Sequence, residues 1–328
     1  MNEPLSGWVK KLAEKSVVVL GDLVADEYVY GMTSRISREA PVLVVRYSDN
    51  EYRLGGSANA AHNVADLGAR AIPVGVVGDD EAGVRVADLC KRYGMVTSGI
   101  LKNGRPTTRK TRILAGAIHT TKQQVLRLDR EDTTPYHKDI DDRVILALTK
   151  ALKKADALLV SDYGLGVLSK RVIQAVRAYA KDGGIVCVDS RYNLRAYKGV
   201  TAVTPNEPEA EAAAAMPIES DAHVKKAGAF LLKELQSRAV VITRGQKGMA
   251  IFEPDEKPVY VPVVGADEVA DVTGAGDTVI ATFTLALAAG ADVVTAARLA
   301  NCAASVTVMK QGAATVSPQE LVRAAQSA

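Results

Sequence analysis

Residues 271–278 read DVTGAGDT, and an uncharged run, VIATFTLALAAGA, follows as far as Ala291. Gly274, Ala275 and Gly276 stand directly before Asp277. Such small residues let backbone N–H groups approach a ligand closely. The apolar run behind them reads as a buried helix that starts at this point. A helix N-terminus leaves unpaired N–H donors and carries roughly half a positive charge, so it attracts phosphate. Asp277 falls in the first turn, where the helix end is expected to hold its carboxyl low and a nearby phosphate to push it back up. This combination suits a transferring phosphoryl group held by backbone, with a carboxylate placed to take the acceptor's proton. The octapeptide also reads as a plain Asp helix cap after a Gly turn. It is not a dinucleotide fingerprint, because G-x-G-x-x-G counted from Gly274 ends on Val279, and no G-x-x-x-x-G-K-[ST] occurs in the chain.

The rest of the chain bounds this reading. Its 328 residues suffice for one large α/β domain. With 48% hydrophobic and 24% charged residues it is globular rather than disordered. A net charge of +3 is too mild to argue for nucleic acid or a membrane surface as partner. Cys90, Cys187 and Cys302 are far apart, which suggests reduced thiols and a cytoplasmic protein. The N-terminus, MNEPLSGWVKKLAEK, has no apolar core of a signal peptide. Val279–Ala291 is shorter than the roughly 20 apolar residues that a membrane span needs.

Short β-branched runs alternate with helical stretches: VVVLG at 17–21, a helix over 57–67, a strand over 72–77, a helix over 81–93, then strands at 157–161, 185–189 and 239–243. This order predicts an α/β fold with a mostly parallel central sheet between two helical layers. Several strands end on a polar residue, Asp22, Asp162, Asp189 and Thr243, where ligands bind in such sheets. Residues 28–52 and 107–129 break the pattern and alternate like strands. They read as two insertions forming a small β-sheet lid on a single domain spanning 1–328.

Other pieces carry weaker signals. RLGGSANAAHN places Gly55 and Gly56 before a helix with Asn59 one turn in, which lets a polyol lie against backbone or makes an ordinary tight turn. TPNEPEAE puts Asn206, Glu207 and Glu209 at a helix start, as caps or as oxygen ligands reaching magnesium through water. ITRGQKGMAIF is a strand, a Gly-bounded turn and a strand, and is a hairpin or a nucleotide loop. His62, His119, His137 and His223 show no metal-ligand spacing.

In this order the two signatures LGGSANAAHNVADLGA and DVTGAGDTVI make the chain resemble the ribokinase-like (PfkB) carbohydrate kinases. The resemblance covers nearly the whole chain. It implies that ATP and Mg²⁺ are used, that Asp277 is the catalytic base, and that Gly274, Ala275 and Gly276 form an anion hole. It further implies that Asp22, Gly55, Gly56 and Asn59 contact the sugar. Asn206 and Glu209 match a motif tied to magnesium and phosphate, Thr243, Gly245 and Gly248 the loop beside the nucleotide, and Asn301 the adenine pocket. More narrowly, RISREAPVLVV, SDYGLGVL, QQVLRLD and GAATVSPQEL are similar to the heptose 7-phosphate kinase subfamily of ADP-heptose synthesis, although Arg38 and Leu43 stand where that subfamily has proline. That likeness implies phosphorylation of D-glycero-β-D-manno-heptose 7-phosphate at O1 by a stand-alone kinase.

A phosphorylated acceptor needs cations away from the anion hole. Arg35, Arg38, Lys110, Arg112 and Arg127 fall in the insertions, and Lys110, Arg112 and Gln124 are the positions expected to reach it. Across 107–127 Arg109, Lys110, Arg112, Lys122 and Arg127 face no Asp or Glu in the sequence. Exposed edges of the accessory strands make a homodimer joined through the lid the expected assembly. Two other readings stay open: a kinase of this fold acting on another sugar phosphate or a nucleoside, and a non-catalytic sugar- or nucleotide-binding module.

Overall fold

The computed structural model describes residues 3–117, 122–265 and 270–328. His119 and the middle of the second expected insertion lie outside them. The chain begins with α1 (Leu5–Leu12), β1 (Ser16–Gly21), β2 (Leu23–Ile36), β3 (Leu43–Gly56), α2 (Ser57–Asp66), β4 (Arg70–Gly78), α3 (Glu81–Arg92) and β5 (Gly99–Asn103). Next come β6 (Arg109–Gly116), β7 (Gln123–Arg130), α4 (Lys138–Leu152), β8 (Ala157–Asp162), α5 (Lys170–Lys181), β9 (Ile185–Ser190) and β10 (Ala202–Val203). The last part holds α6 (Glu207–Ala214), α7 (Asp221–Leu235), β11 (Ala239–Thr243), β12 (Met249–Phe252), β13 (Val259–Val261), α8 (Ala275–Ala288), α9 (Val293–Thr307) and α10 (Pro318–Gln326).

The large sheet runs β13-β12-β11-β10-β9-β8-β1-β4-β5 among the described residues. It is parallel from β11 to β5, while β12 and β13 return antiparallel. Residues alternate across it, as strands require. Val17 and Val19 join a core with α2, α8 and α9, and Val18 and Leu20 join a second core with α4, α5 and α7. From β1 the chain moves outward through β4 and β5, then restarts at β8 on β1's other side. That reversal opens a crevice beyond the carboxyl ends of β1 and β8, where ligands of open parallel sheets bind. Asp22 and Asp162 sit there.

Helix α8 has no polar face: Asp277 through Leu287 are all buried. Such a helix must lie inside the molecule, and it packs chiefly on α9 and α2. No helix among the described residues is long and apolar enough to cross a membrane.

A second sheet, ordered β3-β2-β6-β7, stands apart from the first. Its strands reach further inward than 28–52 and 107–129, because β2 starts one residue beyond Asp22 and β3 runs straight into α2 at Gly56. The β2–β6 pair is parallel and the other two pairs are antiparallel.

Candidate functional site

Gly274 caps α8 with φ 80°, and a Cβ there would lie 2.8 Å from Asn59 Nδ2, so glycine is required on both counts. Asp277 follows in the first turn, 5% exposed. Asn59 Nδ2 donates to its Oδ2 at 2.7 Å and the Tyr163 hydroxyl to its Oδ1 at 3.1 Å. Asn59 is itself set by α2 and α8: Asn63 donates to its carbonyl at 3.0 Å, and Thr278 Oγ1 donates to Asn63 Oδ1 at 2.8 Å. Burial pushes the Asp277 carboxyl up to about 7, against the pull of those two hydrogen bonds. This overturns the expectation of a depressed value. Loss of water around a buried carboxyl outweighs the helix end. One proposed anion-hole donor is also spent, since the Ala275 N–H turns back onto Val272 O at 3.2 Å. Gly276 and Asp277 remain as first-turn donors without an intrahelical acceptor.

On the small-sheet side, Gly55 and Gly56 end β3 where it meets β2. A Cβ on Gly56 (φ 55°) would meet Asp22 O at 2.5 Å, and one on Gly55 would meet the Asp26 carboxyl at about 3 Å. Asp22 has partners other than those expected for a sugar contact. Its oxygens accept the backbone N–H of Tyr163 (2.9 Å), Leu165 (3.2 Å) and Val167 (3.2 Å), and it is 2% exposed. Burial first, and then the Asp162 charge, raise it to about 6. Asp22 therefore braces the 163–167 loop. The carboxylate beside Gly55 belongs to Asp26, 4% exposed, with Arg112 Nη1 at 3.0 Å. That pair is misaligned: Asp26 Oδ1, Arg112 Nη1 and Asn59 Oδ1 are all buried without a hydrogen-bond partner. Buried polar atoms are normally satisfied, so these three orphans stand out at the crevice, although Asp26 and Arg112 still attract one another as an ion pair.

Beyond α8's first turn lie two adjoining hollows that share Thr243 and Gly276. One, of about 260 Å³, is acidic, lined by Asp162, Asp189 and Glu209 together with Arg191 and Asn206. Asp189 is pushed well above the usual carboxylate range by lost hydration and by the charges of Glu209, Asp277 and Asp162. Asn206 and Glu209 form a reciprocal capping box on α6: Glu209 N–H donates to Asn206 Oδ1 at 2.8 Å, and Asn206 N–H donates to Glu209 Oε2 at 3.0 Å. Glu209 is thus a cap and a pocket wall at once. Among the described residues no three acidic, His or Cys side chains come close enough to hold a metal alone.

The other hollow, about 550 Å³, is lined by Gly245, Gly248, Met249, Val279, Asn301 and Val308, among others. Gly248 needs its φ of 80°, because a Cβ would strike Val261 O at 2.0 Å. Gly245 has φ 54° with open space around it. Arg244 fixes the turn between them and β11 by pairing with Glu207 at 2.8 Å and Asp221 at 2.6 Å. Asn301 Nδ2 donates to Pro262 O at 2.7 Å at the cavity wall.

The small sheet's cations do not stand free. Arg109 lies 3.6 Å from Glu27, Lys110 3.5 Å from Glu131, and Arg127 2.7 Å from Asp129, besides Arg112 with Asp26. Their carboxylates come from β2 and from residues just past 127, which a count within 107–127 misses. Lys110 and Arg112 are largely buried, on the rungs of Asp26 and Tyr28, and face the crevice. Gln124 is exposed on β7 opposite Leu114. Arg35 and Arg38 are exposed at the far end of the β2–β3 ribbon.

Sequence reasoning missed Asp26 and Tyr163. An acidic residue in the middle of a strand-like run, LVADEYVYG, is disfavoured there and was a signal for Asp26. Tyr163 lay inside SDYGLGVL, but nothing local pairs it with a residue 114 positions on.

Residues 14–320 match the pfkB family of carbohydrate kinases. The chain is 39% identical over 317 residues to the bifunctional protein HldE of Pelobacter propionicus, covering 96% of this chain and 64% of that protein. It is 42% identical over 310 residues to that of Geobacter sulfurreducens, covering 94% and 62%. It therefore spans somewhat less than two thirds of the length of these relatives. Among solved structures, ribokinase of Arabidopsis thaliana with ribose and ATP superposes with a TM-score of 0.73 at 22% identity, over 95% of this chain and 99% of that one. Phosphofructokinase-2 of Escherichia coli gives 0.75 at 18%, over 95% and 98%. On the family match and the close relatives, this chain belongs to the pfkB family of carbohydrate kinases.

Proposed function

We propose that the protein transfers the γ-phosphoryl group of ATP to the anomeric hydroxyl of D-glycero-β-D-manno-heptose 7-phosphate, giving the 1,7-bisphosphate. The observation that carries the phosphotransfer reading is Asp277: a buried carboxylate, pushed to about 7, on the first turn of a helix between an orphan-lined crevice and a nucleotide-sized cavity. Such a group is more basic than an ordinary carboxylate and can take a proton as the acceptor oxygen attacks phosphorus. An anomeric hydroxyl is more acidic than an ordinary alcohol, so one carboxylate suffices. The proton passes from O1 to Asp277, the O1–P bond forms, and the bond from γ-phosphorus to the bridging oxygen breaks, leaving ADP. The Gly276 and Asp277 N–H groups face the charge that develops on the phosphoryl oxygens.

The 550 Å³ cavity suits an adenine nucleotide, with Asn301 at its wall and the Gly245–Gly248 turn along its edge. The acidic hollow fits magnesium: three carboxyls line it against the single guanidinium of Arg191, and a cation held by few carboxylates plus water and phosphate is this metal's habit. Glu209 would hold it, directly or through water, and the ion would neutralise phosphate charge. Asn59 Oδ1, Asp26 and the Gly55–Gly56 backbone would hold the sugar hydroxyls. The small sheet would close over them as a lid with Lys110 and Arg112 toward the acceptor's phosphate and Gln124 at its edge. Exposed Ile36, Leu43, Tyr47, Leu126 and Leu128 on that sheet, with Val42 in the β2–β3 connection, support a dimer joined through it. Reduced, buried cysteines support a cytoplasmic location.

Heptose as acceptor rests on the likeness of RISREAPVLVV, SDYGLGVL and QQVLRLD to heptose 7-phosphate kinases. One observation favours a second reading, a neutral sugar: Lys110 and Arg112 each already have a carboxylate nearby. A coupled assay of ADP release with heptose 7-phosphate, free heptose and a panel of other sugar phosphates separates them. ADP release that depends on heptose 7-phosphate is the expected result, and release with another acceptor alone replaces it.

A further inference from the structure

The 163–167 loop is braced far beyond what a connection between a strand and a helix needs. Asp22 takes three of its N–H groups, as above, and Asp162 Oδ1 takes that of Gly164 at 3.0 Å. Asp162 is fixed in turn by Ser190 Oγ and the Tyr197 hydroxyl, each 2.8 Å from its Oδ2. Arg105 donates to Leu165 O at 2.5 Å and to Asp132 O at 2.7 Å, and stacks on Tyr136. Two buried carboxylates and one guanidinium are committed to this short segment. The side chain that it delivers to the site is Tyr163, whose hydroxyl meets Asp277 Oδ1.

Asp277 is faced by Asn59 from α2, Tyr163 from the loop after β8, Asp26 from β2, Lys110 from β6 and Asp189 from β9. The carboxylate of Asp26 disfavours a charge on it and Lys110 favours one, while the Asp277 charge in turn raises Asp189. Both of its oxygens already accept a hydrogen, one from Asn59 and one from Tyr163. A proton on Oδ2 would meet the fixed Asn59 donor, and one on Oδ1 would cost the bond that Tyr163 donates. Burial and the facing carboxylates hold the Tyr163 proton on well above the ordinary value, so its hydroxyl meets the ionised carboxyl as a donor.

Resting on the reading of Asp277 as base, we infer that Tyr163 is a positioning residue: its hydroxyl keeps Asp277 ionised and aimed at the acceptor, and the Asp22–Asp162–Arg105 brace exists to present it. The Asn59 contact alone leaves Oδ1 unheld against burial and the charge of Asp26.

The test is Tyr163→Phe, which keeps the ring under Lys110 and removes one hydrogen bond. The Asp277 carboxyl is followed by ¹³C NMR in the aspartate-labelled full chain, its signal assigned by loss in Asp277→Asn. Its titration midpoint should rise by about one pH unit in Tyr163→Phe, the worth of a hydrogen bond to a charged group. In the assay the acid limb of kcat/KM should move up by the same amount, with KM for ATP unchanged. An unmoved midpoint overturns the inference, and so does a kcat loss that is uniform with pH. The titration needs no turnover, so it reads Tyr163 even if the acceptor or the reaction is wrong. A shifted midpoint in a protein without sugar-dependent ADP release would overturn the proposed function instead.

Discussion

Asn59 on α2 and Asp277 on α8 are 218 positions apart in the chain, and their side chains meet at 2.7 Å. One comes from each of the two signature segments, LGGSANAAHN and DVTGAGDT. The contact holds the carboxylate at the first turn of α8. Asn59 also keeps its Oδ1 unpartnered beside Asp277, which on the proposed reading leaves it free to bind the molecule that Asp277 deprotonates.

Asp277→Asn should lower kcat by ~10²–10⁴-fold, the usual worth of a general base, with ATP binding within a few-fold of wild type. Turnover within a few-fold of wild type would remove Asp277 from the mechanism. In the wild type, kcat/KM should fall below about pH 7, because only the ionised form accepts a proton.

The same substitution should stabilise the fold at alkaline pH. The folded-state value of about 7 lies above the ordinary 3.8. The native state therefore binds the proton more tightly than the unfolded chain, and this stability is complete below about pH 4. It is lost as pH rises to about 7, by up to about 4 kcal/mol at 1.36 kcal/mol per unit. Asparagine carries no such cost. Chemical denaturation at pH 5 and pH 8 should show the variant gaining on wild type at the higher pH by about 2–3 kcal/mol, the part of the loss that falls above pH 5. Equal gains at both values would mean that the buried carboxyl is not raised.

The parallel sheet, both glycine turns and the position of Asp277 were legible because each depends on neighbours in sequence. A helix with no polar face has one place to go, and Gly274 stands where a Cβ would strike Asn59. What stayed hidden depends on partners from other strands. The charge of 107–127 looked unbalanced until β2 brought Asp26 and Glu27 alongside Arg112 and Arg109. Asp277 looked like an ordinary first-turn acid until burial reversed the direction of its shift. Asp22 reads as a strand-end ligand group, and only the return of β8 beside β1 gives it three backbone donors to hold.

Glu209→Gln should raise the magnesium concentration needed for half-maximal activity several-fold while leaving stability nearly unchanged. Glutamine can still complete the capping box on Asn206 but carries no charge for a cation. Thermal melts alongside a magnesium titration separate the two roles. An unmoved magnesium dependence would leave Glu209 as a cap only.

Sedimentation at micromolar concentration should give a dimer, and Leu126→Asp with Leu128→Asp should give a folded monomer. Both leucines are more than half exposed on β7, an edge strand of the small sheet, and a charge there cannot be buried against a second copy. A wild-type monomer would refute the assembly.

The acceptor's phosphate should be required. Lys110 and Arg112 are largely buried on the crevice face of the small sheet, and the misaligned Arg112–Asp26 pair leaves Arg112 Nη1 without a hydrogen-bond acceptor. A phosphate that supplied one would also relieve the buried donor. Charge-assisted contacts contribute about 1.5–3 kcal/mol each. Two of them separate phosphorylated from free heptose by roughly two to four orders of magnitude in kcat/KM, at about 1.4 kcal/mol per tenfold. Part of the loss should fall on kcat, because binding at a remote group also sets the anomeric oxygen against the γ-phosphate. Arg112→Met should then cost about half of this difference, roughly one to two orders of magnitude, with heptose 7-phosphate and little with free heptose. Equal kcat/KM for the two sugars in the wild type would mean that Lys110 and Arg112 serve their own carboxylates, and that the acceptor is a neutral sugar.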